Sequence, residues 1–156
     1  HYPLRRQRQM CIRDRLVNQA QNTIISGKNP TPMGTSHPNL VPYRSYTTLD
    51  SEFVIAVGSD EQWGKLARAL RLEIPVDSDW SKNSQRVEDR KLVDTMISKS
   101  VKQFTSSELE SLLDGIPCAP VNSIKQALSD PHSTERGMLS STFGIEHVSS
   151  PHRFHN

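Results

Sequence analysis

Residues 34–70 read GTSHPNLVPYRSYTTLDSEFVIAVGSDEQWGKLARAL, and the punctuation of this stretch decides the fold. Tyr43–Thr47 and Phe53–Val57 have the aromatic and β-branched composition of strands. Leu49-Asp50-Ser51-Glu52 joins them as a hairpin-type connection. Ser59 then stands where an N-cap belongs, and Gln62 three residues on completes a capping-box pattern. Asp60 and Glu61 place negative charge at the positive end of the helix that follows. Trp63, Leu66, Ala67 and Leu70 fall on one face at i, i+3, i+4, i+7 spacing.

Upstream, GKNPTPMGTSHPNLVP (27–42) contains four prolines and two glycines, which preclude regular structure. It is a shaped loop. Glycine permits close backbone approach to a ligand, and proline lowers the entropy lost in holding a loop still. Gly34, Thr35, Ser36, His37 and Pro38 at its centre are the candidate binding residues. A rigid inter-domain linker is the alternative reading. Before the loop, Leu16–Ile25 is helix-compatible, with Gly27 as its stop.

Downstream, Ile74–Lys82 is a polar connector. One long helix is expected over Ser84–Phe104, with Val93, Met96, Ile97, Val101 and Phe104 on its apolar face. Thr105-Ser106-Ser107-Glu108 is a second capping box. It opens a short helix with Leu109, Leu112 and Leu113 inward and Gly115 at its end. Ile116–Val121 is extended. Asn122 is the expected cap of a helix carrying Ile124, Ala127 and Leu128, and Gly137–Phe143 reads as a strand. The fold class is therefore α+β, a small domain with a β-hairpin plus several helices. Neither a dinucleotide-binding G-x-G-x-x-G nor a phosphate-binding P-loop occurs.

Composition narrows the function classes. The chain has 156 residues, of which 34% are hydrophobic, so its core is small. No apolar run approaches a membrane span, which argues against a membrane protein. Two cysteines, Cys11 and Cys118, form neither a disulfide framework nor a metal-ligand pattern, which points to a reducing, cytoplasmic setting. Cys118 reads as a packed small hydrophobe. His147, His152 and His155 fall in an irregular tail and read as solvent-exposed, so no metal site is expected. Residues 1–15 hold five arginines against one aspartate. Without them the formal net charge of +2 becomes −2, and the body carries no electrostatic footprint for nucleic acid. A basic arm is one reading of this segment. The other is a non-native scar: Met10–Asp14 is the translation of ATG TGT ATA AGA GAC, a string inside the mosaic-end adapter of transposon-based sequencing. Residues 1–15 are accordingly set apart as sequencing-adapter-derived, leaving 16–156 as the domain.

The order of landmarks resembles the C-terminal half of the class III CoA-transferases, the carnitine and bile-acid (CaiB/BaiF) type. Gly27, Pro30, Gly34, His37, Pro38, Pro42 and Tyr43 match the family's G-x-x-P-x-R-x-G-N-x-H-P…P-Y loop. Thr48-Leu49-Asp50 and Ile55-Ala56-Val57-Gly58 match its hairpin. Asp60, Gln62, Trp63 and Leu66 match D-x-Q-W/F-x-x-L, and Asn83, Arg86, Val87 and Arg90 match N-x-x-R-V-x-N-R. Gly115-Ile116-Pro117 with Ala119-Pro120-Val121-Asn122, and Asp130-Pro131 with Arg136-Gly137-Met138, complete the series. Pro32, Thr35, Ser51 and Asp89 depart from the family pattern.

The resemblance implies part of a larger two-domain fold built as an interlocked homodimer. It implies an enzyme that moves CoA from an acyl-CoA donor to a carboxylic acid acceptor through an aspartyl-CoA thioester. CoA thioester is then a substrate, and no tightly bound cofactor is expected. No aspartate here matches the catalytic one, so the segment reads as a small-domain fragment, truncated at both ends and inactive alone, with no catalytic residue assigned. Gly34, Thr35, Ser36, His37 and Pro38 would form a lid over the active site. An acyl-CoA racemase or lyase partner of the same superfamily, a non-catalytic interaction domain, and a nucleic-acid binder using Arg5–Arg15 are the alternatives.

Overall fold

The computed structural model describes Asp14 and residues 16–150. The reading of the arginine-rich segment, and those of His152 and His155, fall outside the described residues, Asp14 excepted. The chain divides into two compact units, one ending at Gly34 and the other starting at Thr35. In the first, residues 16–26 form helix α1. Gly27 ends it with φ +68°, and its N–H donates to the Thr23 carbonyl at 2.8 Å.

The second unit is built on a three-stranded antiparallel sheet. β1 (Tyr43–Thr47) pairs with β2 (Glu52–Ala56) from Tyr43↔Ala56 to Thr47↔Glu52. This register sets Tyr46 against Phe53, and both are buried. β3 (Cys118–Pro120) lies on the other edge of β2, with Phe53 facing Pro120 and Ile55 facing Cys118. Proline has no N–H to give a ladder, so an edge position suits Pro120. Thr48 organises the hairpin connection: its hydroxyl accepts from the Ser51 N–H at 2.9 Å and bonds Asp50 at 2.9 Å. Asp50 in turn accepts the Ser106 N–H at 2.9 Å, tying the turn to the start of a later helix.

Helix α2 (Asp60–Ala69) buries Trp63 and Leu66 as its spacing predicts. Its capping box is half made. Ser59 accepts from the Gln62 N–H at 3.2 Å, but the Gln62 side chain reaches past the cap to the Gly58 N–H at 2.8 Å. The helix ends in a Schellman motif, with Leu72 N–H donating to Ala67 O at 2.9 Å and Arg71 N–H to Arg68 O at 3.2 Å. Arg71 holds the left-handed position, φ +49°, that glycine usually fills.

The expected long helix is two helices, α3 (Asn83–Glu88) and α4 (Arg90–Val101). Asp89 interrupts it at φ −90°, ψ 19°, while its carboxylate accepts the Trp80 indole N–H at 2.8 Å. The connector before it is less polar than its composition suggests, because Trp80 is a core residue. Val93, Ile97 and Val101 are buried as expected, with Met96 and Phe104 packed beside them.

Helix α5 (Ser106–Leu112) has the full Thr105–Glu108 capping box. Leu109 and Leu113 point into the core, whereas Leu112 is exposed, a correction to the expected inward triplet. α6 (Ile124–Ser129) is capped by Ser123 with Gln126, one residue beyond the expected Asn122, and buries no residue. Asn122 lacks the spacing: only Ser123 has an amide side chain three residues on. α7 (Pro131–Glu135) follows, capped by Asp130 with Pro131 in its first turn. Gly137–Phe143 proves to be half of a second hairpin, β4 (Leu139–Thr142) against β5 (Ile145–Val148). His147 is exposed as read, but it sits in β5 rather than in an irregular tail. Among the described residues no helix is long and apolar enough to cross a membrane.

One core serves the second unit. Tyr46, Phe53 and Ile55 from the sheet meet Trp63, Leu66, Val93, Ile97, Val101, Leu109 and Leu113 from the helices. The left-handed Arg71 marks local strain outside it. Arg71→Gly should stabilise the protein by about 0.5–1 kcal/mol, since relief of the left-handed penalty exceeds glycine's extra unfolded-state entropy. Urea denaturation reads this directly, and a destabilised variant would contradict it.

Candidate functional site

Thr35–Val41 has no regular structure, yet its backbone is held at several points. The Thr35 hydroxyl accepts the Ser45 N–H at 3.1 Å and lies 3.0 Å from the Ser45 hydroxyl, fastening the loop to β1. The His37 N–H donates to the Tyr43 carbonyl at 2.8 Å. Its ring stacks on Tyr43 with centroids 5.1 Å apart and planes 19° from parallel. Ser36 and Pro38 are half-buried beside it. Gly34, the last residue of the first unit, is exposed at φ +60°. A side chain there would be strained whatever the space around it.

The other face of the loop is gripped from α3 and α4. Asn83 accepts the Val41 N–H at 3.1 Å through Oδ1 and donates to the Asn39 carbonyl at 2.8 Å through Nδ2. Arg86 Nε donates to the Val41 carbonyl at 2.8 Å. Arg90 Nη2 donates to the Pro38 carbonyl at 2.7 Å. The three residues stand at i, i+3 and i+7, so they share one face although the helix breaks at Asp89. A loop cannot be buried with bare carbonyls, and these side chains supply the missing donors.

Arg86 is the centre of this grip. Its side chain is 1% exposed, and its Nη1 also donates to the carbonyls of Trp80 at 2.7 Å and Ser81 at 3.1 Å. Nη2 donates to Asp60 Oδ1 at 2.7 Å, and the guanidinium lies 5.1 Å over the Trp63 ring. Asp60 is 55% exposed, so the ion pair itself is worth little beside the buried hydrogen bonds. Sequence reasoning placed Asn83, Arg86 and Arg90 in a family pattern without a role. Their helical spacing ahead of a break, facing a proline-rich loop, is the signal that finds them.

His37 is the titratable group of the loop. The Asn39 N–H donates to its Nδ1 at 3.1 Å, so in the neutral ring the proton sits on Nε2. Burial pushes its pKa below the ordinary 6.5, and the positive charge of Arg90 pushes it the same way. Elsewhere, the buried Tyr46 phenol donates to Asp94 Oδ1 at 2.7 Å, and burial with that carboxylate raises its pKa. Arg44 completes the cluster at 3.3 Å from Asp94 Oδ2, pinning β1 to α4. The Cys118 thiol is pushed up by burial and by Glu110, which suits packing rather than nucleophilic attack. A groove of about 660 Å³ lined by Leu72, Met96, Lys99 and Phe104 shares no residue with the loop. Among the described residues no three His, Cys, Asp or Glu side chains gather as a metal site would require.

Two predictions follow from this geometry. Arg86→Met keeps the stem and removes the donors, leaving the Val41 and Trp80 carbonyls without their partner. It should lower unfolding free energy by about 3 kcal/mol, and a loss below about 1 kcal/mol in urea denaturation would disprove the grip. For His37, the folded pKa lies below the unfolded 6.5. Its neutral form therefore contributes stability that is whole above pH 6.5 and declines as pH falls from there through the folded value. NMR titration should give a His37 midpoint below 6.5, and Arg90→Ala should move it upward. An unmoved midpoint in that variant would remove Arg90 as a cause.

A sequence model described as CoA-transferase family III matches residues 11–155. The chain is 32% identical over 126 residues to succinate–glutarate CoA-transferase of Agrobacterium fabrum, covering 79% of this chain and 32% of that protein. It is 33% identical over 132 residues to succinyl-CoA:mesaconate CoA-transferase of Haloarcula hispanica, covering 81% and 33%. It thus spans about one third of the length of these curated relatives. Among solved structures, a CaiB/BaiF family protein from Brucella suis superposes with TM-score 0.76 at 36% identity, over 89% of this chain and 38% of that one. The landmarks spread along the chain, the α+β unit and these likenesses agree: the chain belongs to CoA-transferase family III.

Proposed function

We propose that this chain is the small-domain part of an enzyme that transfers CoA from an acyl-CoA to a carboxylic acid. Family membership carries this reading. The nucleophile is an aspartate of the parent protein outside these 156 residues, and the parent is a cytoplasmic interlocked homodimer. The aspartate carboxylate attacks the thioester carbonyl, releasing CoA thiolate and forming a mixed anhydride. The thiolate then attacks the aspartyl carbonyl, giving aspartyl-CoA and the donor acid. The acceptor carboxylate repeats the sequence in reverse. Splitting one transfer between two acids into acyl exchanges on an enzyme group is covalent catalysis.

The loop Gly34, Thr35, Ser36, His37 and Pro38 borders the reacting thioester and keeps water from it. What supports this role is the way the loop is built. Ser45 fastens its Thr35 side chain, Arg90 its Pro38 carbonyl and Asn83 the Asn39 carbonyl just beyond it, so it can cover a site without collapsing into it. A water-excluding cover protects a hydrolysable intermediate. The substrates are dicarboxylic acids and their CoA thioesters, since the relatives named above are named for succinate, glutarate and mesaconate.

The test uses the complete reading frame, expressed and supplied with succinyl-CoA and glutarate. Mass spectrometry should show glutaryl-CoA. With succinyl-CoA alone, hydroxylamine should convert one aspartate of the protein to its hydroxamate. A folded protein that yields neither product is not a CoA-transferase of this kind.

A further inference from the structure

We infer that His37 is a specificity-determining residue that reads the second carboxylate of a dicarboxylic acid, its Nε2–H donating to the carboxylate beside the Arg90 guanidinium. This rests on the reading of the chain as part of a CoA-transferase and names what selects its acid.

The imidazole is prepared from two directions. Stacking on Tyr43 at 5.1 Å fixes the plane of the ring. The Asn39 N–H, 3.1 Å from Nδ1, fixes which nitrogen accepts, so Nε2 is a donor only. The backbone is pinned on both sides as well, through the His37 N–H to Tyr43 and the Pro38 carbonyl to Arg90. Such support is excessive for a surface histidine whose outer nitrogen bonds no protein group among the described residues. It is what a donor requires if it must stand ready at one place.

The neighbouring charge selects the ligand. Arg90 donates from Nη2 to the carbonyl of Pro38, the residue next to His37, and its positive charge acts on the imidazole. The corner therefore offers donors and positive charge. A carboxylate satisfies both, while a methyl group satisfies neither and leaves the donors without water. Sites built to hydrogen-bond a substrate group discriminate against analogues lacking it far more strongly than apolar pockets do. The neutral tautomer with its proton on Nε2 donates to the distal carboxylate without surrendering that proton, and the other carboxyl of the acid remains the reacting one.

The experiment compares glutarate with butyrate as acceptors for succinyl-CoA in the complete enzyme. His37→Phe preserves the stacked ring and removes the donor. His37→Gln removes the ring and keeps an N–H at the same reach. The ratio of kcat/KM for glutarate to that for butyrate should fall about tenfold or more in His37→Phe and recover in His37→Gln. A purely structural ring predicts the reverse, with Phe retaining the ratio and Gln losing it, and that result overturns the inference. Equal losses on both acids in both variants overturn it too, while leaving CoA transfer intact. A wild-type enzyme that forms neither glutaryl-CoA nor butyryl-CoA removes the transferase reading itself, and this inference with it.

Discussion

The buried Arg86 guanidinium is the constraint on which the rest of the second unit depends. A charge 1% exposed must have its donors used, or the cost of removing it from water exceeds anything its contacts return. Here the partners are backbone carbonyls of Val41, Trp80 and Ser81, together with the Asp60 carboxylate. They belong to three segments, the proline-rich loop, the connector after α2 and the first turn of α2, and the guanidinium joins them where Val41 and Trp80 also enter the core. A lysine could not hold them, because one ammonium on a flexible stem lacks the planar fork that points several N–H groups in fixed directions. The guanidinium thus acts as a junction, and the Trp63 ring beneath it closes the remaining side.

That junction explains how an irregular loop can be an ordered one. Helix and sheet satisfy their own main-chain groups, whereas loops must borrow partners. Between Pro38 and Val41 the borrowed partners all come from one helical face, Asn83, Arg86 and Arg90. In the loop these lenders touch main chain only, so from that side its side chains are not consumed in holding it. His37 is the one that benefits. Its orientation, tautomer and electrostatic setting come from Tyr43, Asn39 and Arg90, and none of these supports takes up Nε2.

Much of the fold was legible because local rules and packing agreed. β1 matches its sequence expectation residue for residue, and Ser59, Thr105, Gly27 and Gly115 act where their chemistry placed them. The Asn122 cap was missed on local spacing, but other misses trace to a tertiary partner that no local pattern displays. The break at Asp89 depends on Trp80, nine residues earlier, and Trp80 is buried because Arg86 and Asp89 hold its carbonyl and its indole. Ile116–Val121 was visible as extended chain, but its place on the open edge of β2 was not. The loop was visible as a site through its composition. Its supports were not, since Asn83 and Arg90 look like ordinary polar positions on a helix until the carbonyls they face are known.

Stability and family likeness are distributed differently along this chain. The core runs from Val41 to Ile116, with every buried apolar side chain of the cluster inside that span. Beyond Pro120, α6 buries nothing and both strands of the second hairpin are exposed throughout. Isolated two-stranded hairpins are marginal in water, and Ile124, Phe143 and Ile145 lie open to solvent. Yet the family match continues to residue 155, and the landmarks Asp130-Pro131 are as clear as any in the core. There the matching residues act through capping, Asp130 accepting the His132 N–H at 2.8 Å with Pro131 opening the helix. Landmarks in the first span are read as packing and those in the second as local chain direction. The Asn83–Arg90 series belongs to neither group: it is polar, buried at Arg86 and half-buried at Asn83 and Arg90, and all three residues donate to carbonyls of the loop.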